Sequence, residues 1–75
     1  MPRATRFSRF TFGRAVRRQR ENLGLSQEVF AERANVHRTY ISSIELGKVS
    51  VGIEVANELA GALGIKLSDL VRLAE

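Results

Sequence analysis

The chain has no cysteine and no tryptophan, and it has only one proline and one histidine. Without cysteine, a disulfide framework and a thiolate metal site are excluded, and His37 has no neighbouring ligand set that would hold a metal. No apolar run approaches the roughly 18 residues of a membrane span, and residues 1–10 lack the apolar core of a secretory signal. We therefore expect a cytoplasmic protein without a metal or another cofactor.

Residues with catalytic chemistry are also scarce. There is no glycine-rich phosphate loop and no cysteine nucleophile, and His37 has no evident acid–base partner nearby in the sequence. Glu54 and Glu58 lie four residues apart and could meet a metal on a helix, but a solvated helix face is the simpler interpretation. The sequence therefore predicts that the protein is not an enzyme.

Acidic residues are absent from the first 20 positions. That segment holds seven arginines, whereas residues 21–75 hold five basic and eight acidic residues and carry a net charge of −3. The overall charge of +4 is thus concentrated at the N-terminal end, and it favours an anionic partner. Within this end, we interpret the basic residues 1–10 as an arm that is mobile unless something binds it. Such an arm could follow a DNA backbone or enter a minor groove, or it could be a tail whose arginines only aid solubility.

The chain is short for a protein that has no covalent or metal crosslink. Seventy-five residues with a hydrophobic content of 44% are expected to form one domain rather than a disordered chain. Domains of this size bury only about 60% of their unfolded surface and often gain stability from disulfides, metals or oligomerisation. Because the first two are excluded, oligomerisation remains.

Apolar residues recur at helical spacing in five segments, whereas no strand pattern or internal repeat is found. Caps and stops place the helices at about residues 12–23, 26–34, 37–46, 53–63 and 67–74. The first is expected to begin after Thr11 and to bury Leu23 on its apolar face, and the fourth to bury a stripe that begins at Ile53. The pattern predicts an all-α, compact five-helix bundle in which residues 11–75 form one domain.

The second and third helices are predicted to meet at a tight turn, a helix-turn-helix over residues 26–46. Ser26 can cap the second helix, and Ala31 is small enough to let another helix cross closely. Asn35 lies where the second helix must stop, and asparagine readily takes the left-handed conformation that a sharp exit needs. Val36 can then fill the corner.

The third helix has one apolar face and one polar face. At 100° per residue, Ile41 and Ile44 share the inner face, and side chains that can bond to DNA lie on or beside the opposite face. These side chains are Arg38, Thr39, Tyr40, Ser42 and Ser43. Such a helix suits the major groove of DNA, where polar side chains meet base edges and phosphates. The alternative is an ordinary helical hairpin with a solvated face.

The last helix is unusually apolar for the end of so small a chain. Its apolar residues are Leu67, Leu70, Val71 and Leu73. They cover more than one helix face, so some of them are expected to seek a second surface. A homodimer interface through these four residues, with Val55 or Leu59 beside them, would supply that surface. The alternative is that all four pack into the core of their own chain.

With this order of helices, residues 12–74 resemble the phage-repressor and Cro-like, or XRE-type, helix-turn-helix family of transcription regulators. The resemblance is carried by Leu25-Ser26-Gln27, Ala31, Val36, Ile41-Ser42, Ile44-Glu45, Gly47-Lys48, Leu59-Ala60, Ala62-Leu63-Gly64 and Leu67-Ser68-Asp69-Leu70. Asn35 stands where the family usually has glycine, and it can meet the same backbone demand. Within the family, the string VHRTYIS at residues 36–42 is most similar to the controller proteins of restriction–modification systems. Those are homodimers that bind palindromic operators on double-stranded DNA and time the expression of the endonuclease.

The resemblance also implies a role for individual side chains. The residues expected to read bases are Arg38, Thr39, Ser42 and Ser43. Among these, Arg38 is the best candidate because a guanidinium can bond O6 and N7 of guanine together. The residues expected to contact the DNA backbone are Gln27, His37, Tyr40 and Lys48. Arg20 and Glu45 match a charge pair that ties the first helix to the end of the recognition helix in this family.

Two questions about partners stay open at this point. Activation of transcription needs a patch that faces RNA polymerase, and Glu28 and Glu32 are candidate members, although surface carboxylates are usually only solvated. The alternative function is that of an antitoxin or protein-interaction module that also represses its own operon. A neighbouring methyltransferase and endonuclease gene would favour the controller, and a toxin gene the antitoxin.

Overall fold

Five α-helices and no strand make up residues 7–75, the part of the chain that the computed structural model describes. The helices are α1 Arg9–Asn22, α2 Gln27–Ala34, α3 Arg38–Glu45, α4 Ile53–Leu63 and α5 Leu67–Leu73. The predicted all-α, five-helix fold is confirmed. None of these helices is long and apolar enough to span a membrane. Residues 1–6, which form most of the predicted N-terminal arm, lie outside the described residues.

Helix α1 begins three residues earlier than the sequence pattern predicts. The N-cap is Ser8, whose hydroxyl accepts a hydrogen bond from the backbone N–H of Thr11 at 3.2 Å. The Thr11 hydroxyl in turn accepts from the backbone N–H of Ser8 at 2.8 Å. Each residue satisfies the other's free donor, as in a capping box, so Thr11 lies inside the first turn. Arg9 and Phe10 therefore belong to the helix and not to the arm.

All five helices contribute to one apolar core. Its largest fully buried side chains are Phe30, Ile41, Ile44, Leu59, Leu70 and Val16. Two residues predicted to be buried are exposed instead, Leu23 by 52% and Ile53 by 74%. Leu23 is the C-cap of α1 and Ile53 is the first residue of α4, so each lies at a helix end where the core no longer reaches.

Helix α5 does not present its four apolar residues on one surface. Leu70 is fully buried in the core of its own chain, which corrects the prediction that it lies in a dimer interface. Leu67 and Val71 are half-buried and line an apolar cleft together with Phe7 and Ile53. Leu73 is 53% exposed and lies on the other flank of α5, against α1. The apolar side chains of α5 therefore point to three places: the core, the apolar cleft and the flank beside α1. They do so because four apolar residues within seven positions extend around the helix.

Helices α1 and α3 cross closely at Gly13. A Cβ atom at this position would clash with the carbonyl oxygen of Ile44 and lie 3.1 Å from the carbonyl oxygen of Glu45. Only glycine lets the backbone of α1 approach the last turn of α3 to this extent.

The start of α1 also covers Gly47, which follows the C-cap of α3. Gly47 has a φ of 73°, and a Cβ atom there would clash with the ring of Phe10. Arg9 donates a hydrogen bond from Nε to the carbonyl oxygen of Gly47 at 2.8 Å, and its guanidinium carbon lies 4.9 Å from the centre of the Phe10 ring. The first turn of α1 therefore holds the C-terminal end of α3 in place.

We expect Gly13→Ala to lower the free energy of unfolding by about 1–3 kcal/mol, because the added methyl group forces α1 away from α3. Gly61→Ala is the matched control, since Gly61 is also helical and has open space around it. The control should raise the free energy of unfolding by about 0.5–1 kcal/mol, because alanine restricts the unfolded chain and suits a helix better. Urea denaturation followed by circular dichroism measures both, and a stabilised Gly13→Ala variant would contradict the close crossing.

Candidate nucleic-acid interface

The helix-turn-helix is built by Ser26 at the start of α2 and by Asn35 and Val36 in the turn between α2 and α3. The Ser26 hydroxyl caps α2 by accepting from the backbone N–H of Val29 at 3.1 Å. Asn35 follows α2 with φ 59° and ψ 43°, and among the described residues no other non-glycine residue has a positive φ. The backbone N–H of Val36 then bonds to the carbonyl oxygen of Ala31 at 3.0 Å and closes the turn. The predicted cap and the predicted left-handed exit are both confirmed.

Helix α3 buries Ile41 and Ile44 against the core, as the periodicity predicts. It is one residue shorter at each end than predicted, because His37 is its N-cap and Leu46 its C-cap. The opposite surface carries the predicted base-reading residues: Arg38 and Thr39 are exposed, and Ser42 and Ser43 are half-buried. Arg38 has neither a hydrogen-bond nor an ion-pair partner within residues 7–75, so its guanidinium is available to a ligand.

The predicted backbone-contacting residues lie around this surface. His37 and Lys48 are exposed at the two ends of α3, and Tyr40 is half-buried with its ring packed against the core. Glu28 and Glu32, the candidate polymerase-facing residues, are exposed on α2.

A buried ion pair joins α1 to the last residue of α3. Arg20 Nε lies 2.6 Å from Glu45 Oε2, and Arg20 Nη2 donates to Glu45 Oε1 at 3.0 Å. Only 11% of the Arg20 side chain and 3% of the Glu45 side chain are exposed. The hydrogen bonds to Glu45 raise the pKa of Arg20 above its ordinary value, although burial of the guanidinium opposes the rise. The sequence-based pairing of these residues thus corresponds to a bidentate contact, the strongest geometry for this kind of pair.

The same network contains two bonds that sequence reasoning missed. Arg20 Nη1 donates to the carbonyl oxygen of Leu25 at 2.7 Å, and the side-chain amide of Gln27 donates to Glu45 Oε1 at 3.1 Å. No buried side-chain nitrogen or oxygen within residues 7–75 lacks a partner. Gln27 is separated from Glu45 by 18 positions, so no local pattern could have indicated this contact. The network fixes the first residue of α2 relative to the end of α3.

The structure also corrects the expectation that Arg9 belongs to an arm that could follow DNA. Arg9 lies in α1, and its side chain donates a hydrogen bond to the carbonyl oxygen of Gly47, just beyond the end of α3. The serine-to-threonine spacing at residues 8–11 is the signal that could have placed it in a helix.

A model of the helix-turn-helix family matches residues 16–70, which include α2, α3 and α4 in full. The chain belongs to this family. It is 43% identical over 60 residues to the control protein C.MunI of a Mycoplasma species, an alignment that covers 79% of this chain and 81% of that protein. It is 39% identical over 64 residues to the control protein C.BamHI of Bacillus amyloliquefaciens, with 84% and 79% covered.

A solved structure gives the same result. The restriction–modification controller protein C.AhdI of Aeromonas hydrophila superposes with a TM-score of 0.80 at 34% sequence identity, covering 83% of this chain and 94% of that one. The chain is a helix-turn-helix DNA-binding regulator related to the restriction–modification controller proteins. It belongs with transcriptional regulators and not with enzymes.

We expect Glu45→Ala to lower the free energy of unfolding by about 3–5 kcal/mol, because it leaves the Arg20 charge buried and unpaired. Glu21→Ala is the matched control: Glu21 pairs with Arg17 at 3.0 Å and lies 3.9 Å from Arg20 Nη2, but more than half of the Glu21 and Arg17 side chains is exposed. An exposed pair of this kind contributes little, so the control should change stability by less than about 1 kcal/mol. Thermal unfolding of the two variants measures the difference, and equal losses would show that the buried pair has no special weight.

Proposed function

We propose that the protein is a restriction–modification controller that binds, as a homodimer, an inverted-repeat operator on double-stranded DNA in the cytoplasm of a bacterium. The observation that carries the proposal is the outer surface of α3, a helix fixed by Asn35 at one end and Glu45 at the other. This surface carries the exposed Thr39 and Arg38, which has no partner among residues 7–75. The likeness to C.MunI, C.BamHI and C.AhdI, all named as control or controller proteins, supports it.

In this proposal, α3 enters the major groove and its polar side chains read the bases. Arg38 bonds O6 and N7 of a guanine, and Thr39, Ser42 and Ser43 contact neighbouring base edges. Arg38 makes no hydrogen bond or ion pair within the described part of its own chain. Its guanidinium therefore loses no internal partner when it binds DNA.

Gln27, His37, Tyr40 and Lys48 contact the sugar–phosphate backbone in this proposal and set the position of the reading helix. Gln27 fits this role because its Nε2 donates a hydrogen bond to Glu45. That bond fixes the orientation of the side-chain amide before DNA binds. That Glu28 and Glu32 form part of a surface for RNA polymerase stays a prediction.

Dimerisation is proposed through the apolar cleft of about 360 Å³ that Phe7, Ile53, Leu67 and Val71 line. Ile53, one of the residues that line this cleft, is the most exposed large apolar side chain among the described residues. Covering it with the same cleft of a second copy removes apolar surface from water on both chains. Two recognition helices related by a two-fold axis then enter successive major grooves about 34 Å apart, which requires half-site centres about 10 bp apart.

We expect Arg38→Ala to relax the base preference at one operator position per half-site, at a cost of about 1–3 kcal/mol against the preferred base. Gln27→Ala should weaken binding to all sequences by a similar factor, because a backbone contact carries no base information. Gel-shift titrations against duplexes selected by the wild-type protein from a random library measure both effects.

Arg72→Ala is the control, because it removes the same charge from the exposed face of α5, a helix that packs on α1 and α4. Sequence-independent losses of equal size in Arg38→Ala and Gln27→Ala would contradict the division of roles. Selection of no preferred duplex by the wild-type protein at physiological salt would overturn the proposed function itself.

We expect Ile53→Glu to convert the dimer to monomer, because a charge placed in the apolar contact loses its hydration without gaining a partner. Leu73→Lys is the matched control: it also replaces an exposed apolar residue by a charge, but on the other flank of α5. Each charge suits the dipole of its own helix end, so both folds should persist. Sedimentation equilibrium measures the two association constants, and a monomeric Leu73→Lys beside a dimeric Ile53→Glu would place the interface on the other flank.

A further inference from the structure

The side chains of His37 and Thr39 are bonded to each other on the DNA-facing surface. His37 Nδ1 lies 3.2 Å from the backbone nitrogen of Thr39 and 2.8 Å from its hydroxyl oxygen. Both residues are exposed, so this contact is part of the surface and not of the core. The sequence alone does not predict a hydrogen bond between these two side chains.

The backbone contact decides which atom carries the proton in the side-chain contact. A backbone N–H can only donate, so Nδ1 must be the unprotonated ring nitrogen, and the proton of the neutral imidazole is on Nε2. An unprotonated Nδ1 accepts, and therefore the Thr39 hydroxyl donates a hydrogen bond to it, so that the backbone N–H and the hydroxyl share the lone pair of this nitrogen. The single proton of that hydroxyl is thus used within the chain.

A committed hydroxyl proton restricts what Thr39 can recognise. It cannot be donated to a phosphate oxygen, to O6 or N7 of guanine, to N7 of adenine or to O4 of thymine, which are all acceptors. The Cβ atom of threonine carries one oxygen and one methyl group besides hydrogen. The oxygen keeps lone pairs that can accept from N4 of cytosine or N6 of adenine, but it is turned to the imidazole, and the methyl group is the carbon of the side chain left to meet a ligand.

We propose that Thr39 reads DNA through its methyl group, by packing against the 5-methyl group of a thymine, and that His37 is the positioning residue that turns the methyl group outward. The inference rests on the proposed function, because it concerns which atoms of the same helix face the major groove. It assigns His37 a part in specificity beyond the contact to the DNA backbone that the sequence predicts.

The test uses a duplex selected by the wild-type protein from a random library, with each thymine replaced in turn by uracil. Uracil lacks only the 5-methyl group, so a position read through that group should bind about three- to fivefold more weakly, the value of one buried methyl contact. We expect one such position per half-site in the wild-type protein. Thr39→Val keeps a methyl group and loses the hydroxyl, so the uracil penalty should persist. Thr39→Ser keeps the hydroxyl and loses the methyl group, so the penalty should disappear.

Two substitutions of His37 test its positioning role separately from its capping role. His37→Asn keeps a neutral acceptor at the N-cap and should keep the uracil penalty. His37→Ala removes the acceptor and frees the Thr39 hydroxyl to rotate, so the penalty should fall below twofold at the same position. The ratio of affinities for thymine and uracil is the informative quantity, because loss of the cap alone weakens binding to both duplexes equally.

Specific binding without any uracil-sensitive position that depends on Thr39 would overturn the inference and leave the proposed function intact. A penalty that Thr39→Ser retains and Thr39→Val loses would show that the hydroxyl reads DNA, which also overturns it. Absence of any selected duplex is the failure of the proposed function, and it is recognised before a uracil is introduced.

Discussion

The placement of α3, and with it the proposed DNA-facing surface, depends on the carboxylate of Glu45. This one group accepts hydrogen bonds from Arg20 on α1 and from Gln27 on α2, while its own backbone ends α3. Three helices therefore meet at a single buried charge. Such a charge is costly to bury, so its value lies less in net stability than in the one arrangement that satisfies all of its donors. The orientation of α3 relative to α1 and α2 follows from that arrangement.

Much of the fold could be predicted because the deciding information was local. The helical spacing of Phe30, Ile41, Ile44 and Leu59 marks the core, and an asparagine at the stop of α2 marks the left-handed exit. The ends of helices were less predictable, since both Ser8 and Thr11 can cap the start of α1. Thr11 stands directly before an apolar residue, but Ser8 is the N-cap. With Ser8 in that position, Ser8 and Thr11 each accept a hydrogen bond from the backbone N–H of the other, so two backbone donors are satisfied.

The candidate site was predictable in its residue types but not in its internal bonds. Periodicity indicates which side chains of α3 point outward, whereas the bonds of Arg9, Gln27 and Leu25 depend on how distant segments pack. The apolar residues of α5 show the same limit. Their number indicates an excess of hydrophobic surface, but only the packing of α5 on α1 and α4 shows that Leu70 fills the core and that Leu67 and Leu73 lie on opposite flanks.

The contact between α1 and α5 has a consequence for the order of folding. The helix-turn-helix of α2 and α3 consists of neighbours in sequence, so its contacts close short loops and can form early. Its position, however, is set by α1, and α1 is packed against α5, more than 40 residues further along the chain. During synthesis α3 therefore gains its final support only when α5 has left the ribosome. A nascent chain that ends before α5 leaves the faces of α1 and α4 on which α5 packs open to water.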